Sequence, residues 1–163
     1  MTDTVSVRRA AAGDVDDIVA IYVNSANAAF GDYQPTMYVT ERRLARWARD
    51  LAAPYHRWWV AEIGADTAGF AGTGPSRDPL NRAIGELDTI AGAPKNWRHG
   101  VGRRLMTVVH RQLDADGYKR SILWTWDGYV AAMSFYSAMG WRLTDQRRDG
   151  GRQICFERER LTD

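Results

Sequence analysis

The feature that most restricts the fold is a stretch in which a strand runs into a glycine turn, a long helix and a second strand. Ala83-Ile84-Gly85-Glu86-Leu87-Asp88-Thr89-Ile90-Ala91 has strand character, and Trp97-Arg98-His99-Gly100-Val101-Gly102-Arg103-Arg104 carries two glycines and several cations. A helix follows to about Asp116, ends at Gly117, and Lys119 to Trp126 reads as strand again. A helix begun in this way leaves backbone N–H groups without intrahelical partners and turns the positive end of its dipole toward the loop, so a pyrophosphate can sit there. Gly100 and Gly102 let a ligand approach the main chain closely. The spacing is neither the dinucleotide fingerprint G-x-G-x-x-G nor the nucleotide-triphosphate loop, which ends in Gly-Lys-Ser/Thr. Taken alone, a glycine pair is also what a ligand-free strand-to-helix turn would show.

Elsewhere the apolar period alternates between two and 3.6. Val5 to Arg9 reads as a strand, and beyond Gly13 the residues Val15, Ile18, Val19, Tyr22, Val23 and Ala26 keep helical spacing, with Asp14 as the expected N-cap. Gly31-Asp32-Tyr33-Gln34-Pro35 breaks the chain before a second helix, roughly Thr40 to Ala52, striped by Leu44, Trp47, Ala48 and Leu51. Arg57 to Ile63 and Thr67 to Thr73 form a hairpin around Gly64-Ala65-Asp66, and Gly74 to Pro79 is the most loop-like segment. Ala132, Phe135, Tyr136 and Met139 predict a helix stopped by Gly140, and Trp141 to Arg147 and Arg152 to Arg158 flank the turn Asp149-Gly150-Gly151. The order is β-α-α-β-β-β-α-β-α-β-β, an α+β chain without repeats or linkers, expected to form a single domain over residues 1–163.

Several functions are disfavoured. Cys155 is the only cysteine, so no intrachain disulfide forms, and it reads as a buried strand residue compatible with a reducing cytosol. His56, His99 and His110 lack metal-ligand spacing, so no metal site is expected. Met1-Thr2-Asp3-Thr4 lacks a basic region followed by an apolar stretch, and nowhere do 18 apolar residues run together, so a soluble cytoplasmic protein without membrane partners is expected. Lys and Arg number 22 against 20 Asp and Glu, a net charge of +2 that implies no nucleic-acid surface. Self-association, where it occurs, is expected as a two-fold homodimer.

Three motifs occur in order: Gly85-Glu86-Leu87 opening the fourth strand, the turn Trp97 to Gly102, and Phe135-Tyr136-Ser137-Ala138-Met139-Gly140-Trp141. Together with the element order they resemble the GNAT superfamily of acyl-CoA-dependent N-acyltransferases over nearly the whole chain. The turn looks like that family's pyrophosphate loop, Q/R-x-x-G-x-G/A, and the last motif like its F-Y-x-x-x-G-F signature. The resemblance implies a mixed, mostly antiparallel sheet of about seven strands flanked by about four helices, with acetyl-CoA (coenzyme A) as cofactor. It places Trp97, Arg98, His99, Gly100, Val101, Gly102 and Arg103 around the pyrophosphate, and the edge of strand four at Thr89, Ile90 and Ala91 along the pantetheine. Trp97 stands where the family commonly has Gln or Arg, which removes a polar contact but leaves the backbone cradle. Tyr129 stands where an Asn often hydrogen-bonds the pantetheine arm or the adjacent backbone, and offers a hydroxyl instead.

Acetyl transfer to an amine by direct attack, through a tetrahedral intermediate, needs a neutral nucleophile. An alkylamine has a pKa of roughly 10.4, so at neutral pH about one molecule in a thousand or fewer is nucleophilic. The resemblance places a catalytic base at Glu86, for which partial burial or a water relay is expected to supply the basicity; Asp88, on the same strand face, is the rival. A backbone N–H at Ile90 or Ala91 would meet the oxyanion, and Tyr136 matches the family's general acid for the departing thiolate. Phe30, Asp32, Tyr33, Tyr38, Arg77 and Arg148 are the substrate-binding candidates, since loops carry specificity on such scaffolds, whereas Trp58, Trp59, Trp124 and Trp126 read as core. The acceptor expected is a primary amine of a small metabolite, an antibiotic or a peptide. The alternative is a catalytically silent acyl-CoA sensor; acylation of a charged tRNA and a purely structural role rank below both.

Overall fold

The computed structural model describes residues 4–160. In chain order they form β1 (Val5–Arg9), α1 (Val15–Phe30), α2 (Glu41–Ala52), β2 (Arg57–Ile63), β3 (Asp66–Pro75), β4 (Gly85–Gly92), α3 (Val101–Ala115), β5 (Arg120–Trp126), α4 (Val130–Ala138), β6 (Arg142–Arg148) and β7 (Gln153–Glu159). The seven strands make one sheet in the order β1-β2-β3-β4-β5-β7-β6. β4 and β5 are parallel, with α3 as the crossover a parallel pair requires, while β1·β2, β5·β7 and β6·β7 are antiparallel. This is the α+β arrangement the periodicities predict, with element ends displaced by one or two residues.

The strands and helices belong to two compact units, residues 4–72 with 89–109, and 73–88 with 110–160, so β3, β4 and α3 contribute to both. In the first unit an aromatic cluster seats α1 and α2. The Trp47 ring lies 5.1 Å from Trp58, 5.2 Å from Tyr22 and 5.4 Å from Phe70, with Ile18, Val19 and Val60 fully buried beside them. Gly72 admits the Trp58 ring, because a Cβ there would come within 2.2 Å of it. On the alternate β3 position, a Cβ at Gly69 would meet Val101 Cγ1 at 2.6 Å and the Ala91 carbonyl oxygen at 2.8 Å, so this glycine lets the start of α3 lie directly on the strand.

One capping expectation is corrected. Asp14 occupies the N-cap position of α1, but its carboxylate makes no cap bond; it accepts from the Ala11 N–H at 2.7 Å and from the Arg8 guanidinium at 2.9 Å. A charge-assisted bond to Arg8 outcompetes the neutral helix amides, and Arg8 holds the Asp14 carboxyl below the ordinary range. Thr40 caps α2 through its hydroxyl, which accepts from the Arg43 N–H at 3.1 Å.

In the second unit, β7 runs between β5 and β6 and buries Ile154, Cys155 and Phe156. Trp141, just before β6, is buried and donates its indole N–H to Nε2 of His110 at 2.9 Å. Among the described residues no helix is long and apolar enough to cross a membrane.

Candidate functional site

In the first unit the site is a strand end, a turn and a helix start. The Ala93 N–H donates to the Ala68 carbonyl at 2.8 Å, and a short 3-10 turn, Pro94–Asn96, intervenes before the glycine turn. The Trp97 indole N–H donates to the Gly92 carbonyl at 2.7 Å. The residue at which the family pattern is broken therefore ties the turn to the end of β4 through its side chain.

Arg98 has φ 68° and Gly100 φ 83°. Left-handed backbone at a non-glycine residue such as Arg98 costs about 1 kcal/mol or more, whereas Gly100 adopts it freely. Nothing lies within 4 Å of where a Gly100 Cβ would sit, so the turn is open at its glycine. The Arg104 N–H closes the first helical bond, to the Gly100 carbonyl at 3.1 Å, which leaves the Val101, Gly102 and Arg103 amides without a backbone acceptor among the described residues. His99, Arg103 and Arg104 are exposed beside them. Main-chain donors beside the exposed guanidinium groups of Arg98, Arg103 and Arg104 are what a diphosphate requires.

Further back on β4, the parallel ladder to β5 consists of Gly85↔Ser121 and Glu86↔Ile122 and stops there. Thr89, Ile90 and Ala91 follow on the same strand, half-buried, past the last ladder pair.

The second unit holds the ionisable groups. Glu86 is only 8% exposed, and burial, followed by the nearby Asp88 carboxylate, pushes its carboxyl up to about 7 even though Arg148 and Arg77 pull the other way. Glu86 takes part in no ion pair among the described residues. Asp88 is engaged differently, in a salt bridge with the Arg77 guanidinium. Of the two rival carboxylates, the one without a counter-ion is thus the buried one.

Tyr136, on α4, packs against Phe135 and Phe156 with ring centroids 5.7 and 5.8 Å away, and burial together with Tyr129 pushes its phenol up to about 12. Tyr129 occupies the N-cap position of α4.

Among the substrate-binding candidates, Arg77 and Arg148 fall in this electrostatic group. The Arg148 guanidinium carbon lies 4.5 Å over the Trp124 ring, and its Nε donates to Gln153 Oε1 at 2.6 Å. Phe30, the last residue of α1, and Asp32, Tyr33 and Tyr38, on the connection to α2, belong to the first unit. There the Phe30 carbonyl accepts from the Tyr33 N–H at 2.9 Å, and the Tyr38 carbonyl accepts from Arg43 at 2.7 Å.

Trp58 and Trp59 are buried as the sequence suggests, but Trp124 and Trp126 are not core. Both are half-buried and carry arginines on their faces, Arg148 on Trp124 and Arg152 on Trp126. Trp124 and Gln153 are the site residues the sequence reading missed. The available signal was the triplet Trp124-Thr125-Trp126, in which alternation buries the small Thr125 and sends both indoles to the opposite face.

A model described as the acetyltransferase (GNAT) family matches residues 18–141, more than half of the chain. No curated protein matches. Among solved structures, the ribosomal-protein-alanine N-acetyltransferase of Brucella melitensis aligns with TM-score 0.79 at 20% identity, over 94% of this chain and 99% of that one. PaiA N-acetyltransferase of Thermoplasma acidophilum, solved with coenzyme A, aligns with TM-score 0.76 at 14% identity over 96% and 99%. The yncA protein of Salmonella typhimurium, solved with its cofactor acetyl-CoA, aligns with TM-score 0.76 at 20% identity over 95% and 93%. At these identities the likeness is one of fold.

Proposed function

Because the chain belongs to the GNAT acetyltransferase family, we propose that residues 1–163 act as one acetyltransferase domain that moves the acetyl group of acetyl-CoA to a primary amine of a small metabolite, an antibiotic or a peptide. Bound acetyl-CoA supplies an acyl thioester, and the chain supplies everything else. The Val101, Gly102 and Arg103 amides, with Arg98 and Arg103 as cations, would hold the diphosphate. Thr89, Ile90 and Ala91 would offer β4 backbone to the pantetheine, and the N–H of Ile90 or Ala91 is the donor that would stabilise negative charge on the acyl oxygen.

Glu86 takes the proton from the acceptor ammonium. Its shift from an ordinary carboxyl to about 7 narrows the gap to an alkylammonium by an amount worth about 3 kcal/mol. The remaining gap, about 5 kcal/mol against a pKa of roughly 10.4, is small enough for transfer within a working barrier. Tyr136 stays protonated at every physiological pH, its phenol being raised to about 12. Against a thiol of pKa roughly 8.5, full transfer from such a phenol is uphill by about 5 kcal/mol, so Tyr136 would hydrogen-bond the departing sulfur, and the second proton shed by the attacking nitrogen as the amide forms would end on the thiolate.

The observation that carries this reading is Glu86, a buried strand carboxylate in no ion pair among the described residues, three residues before Thr89 on the same strand. The test is a screen of primary amines with acetyl-CoA, read by free thiol, on wild type, Glu86→Gln and Tyr136→Phe, with calorimetry of coenzyme A on all three. Release by wild type, lost in both variants while cofactor affinity persists, supports the enzyme. Binding with no release from any amine supports a silent sensor.

A further inference from the structure

The β6–β7 hairpin carries five arginines, and four have a carboxylate partner. Arg142 pairs with Glu157, Arg147 with Asp127 at 2.8 Å, Arg152 with Asp149 at 2.8 Å and Arg158 with Asp114 at 2.9 Å. Arg148 has none among the described residues. It is nevertheless held on two sides. Its guanidinium carbon lies 4.5 Å over the Trp124 ring, and Gln153, in register with it on β7, fixes Nε at 2.6 Å. Nη1 and Nη2 are left as a fork with no acceptor among the described residues.

Such a fork matches a planar carboxylate, which takes two parallel N–H bonds, and stacking on an indole orients the fork in advance. The surrounding charge sets the charge of the ligand. Asp88 is neutralised by Arg77, and Glu86, ionised as the base, offsets Arg148 electrostatically, so a ligand that brings one positive and one negative group leaves the group of side chains without net charge.

The geometry points to Arg148 as the specificity residue for an acceptor that carries a carboxylate as well as its amine, an amino acid or a close relative of one. This rests on the acetyltransferase reading for the amine and goes beyond it in naming the acceptor class. The ammonium end faces Glu86, and the carboxylate end faces the Arg148 fork.

Matched pairs of α-amino acids and their decarboxylated amines, assayed with acetyl-CoA, test it. Wild type is expected to favour the carboxylated member by tenfold or more in kcat/KM, and Arg148→Gln to reduce that ratio at least tenfold, with Arg148→Lys intermediate because it keeps the charge but loses the fork. Two results overturn the proposal: a ratio near one in wild type, or an equal loss on both members in Arg148→Gln with a displaced pH profile, which would make Arg148 a positioning residue for Glu86. If no amine releases thiol, the acetyltransferase reading has failed separately. Calorimetric titration of the same pairs into coenzyme A-loaded Glu86→Gln, with and without Arg148→Gln, then decides whether a carboxylated amine binds through Arg148.

Discussion

Glu86 shows how one side chain ties catalysis to stability. Its carboxyl sits at about 7 in the folded chain against about 4.5 when unfolded, so between those values the folded protein keeps a proton that the unfolded chain releases. Stability from this group is therefore present below about pH 4.5 and falls as pH rises through about 7, while the base becomes active over the upper part of the same range. Glu86→Gln should lower kcat by at least about a hundredfold, and its melting temperature should exceed that of wild type by a few degrees at pH 8 but not at pH 5; calorimetric scans at both values check this. The wild-type kcat/KM should rise with pH through about 7. Glu86 itself was legible from its motif. Its burial was only an expectation, and the roles of Trp124 and Gln153 were hidden, because they depend on which strands become neighbours across β5, β7 and β6. The N-cap position of Asp14 was legible too, but the engagement of its carboxylate with Arg8 was not, because Arg8 lies on another element.

Among the elements, the strands and helices were readable because periods of two and 3.6 alternate cleanly, whereas their contacts depend on single small residues. Gly69 is the clearest case. Gly69→Ala places a Cβ 2.6 Å from Val101 and 2.8 Å from the Ala91 carbonyl, so α3 must lift. The expected result is a loss of about 1–3 kcal/mol in urea unfolding together with weaker coenzyme A binding by calorimetry, since the mouth of α3 moves with Val101. His110 tethers the other end of this helix. As a neutral ring it accepts a hydrogen bond from the Trp141 indole N–H, and burial, with Arg158 nearby, brings its pKa down to about 4 although Asp114 opposes this. The imidazole of the unfolded chain takes up a proton from solvent near pH 6.5, so the contribution is complete above about 6.5 and is lost as pH falls toward 4. The urea midpoint of His110→Gln should accordingly drop less than that of wild type between pH 7 and 5. Trp141→Phe, which removes the hydrogen bond, should cost about 1 kcal/mol at pH 7.

For the molecule as a whole, binding and folding are linked. Coenzyme A at a hundred times its dissociation constant should add about 2.7 kcal/mol to stability, a rise of roughly 5–10 °C for a chain of this size by differential scanning calorimetry; no rise would remove the cradle from the proposal. The family and the element order could be read from local patterns, but the strand order could not. The turn at Asp149-Gly150-Gly151 correctly marks β6 and β7 as a hairpin, yet nothing local announces that β7 also pairs with β5, seven residues to seven, from Arg120↔Glu159 to Trp126↔Gln153. This placement bears on how the chain is made. Until β7 has been synthesised, both β5 and β6 offer an unfilled backbone edge to whatever strand comes by. A nascent chain stalled at the Asp149 turn should therefore be held by chaperones or aggregate, and both edges are closed only after β7 has slotted home between them.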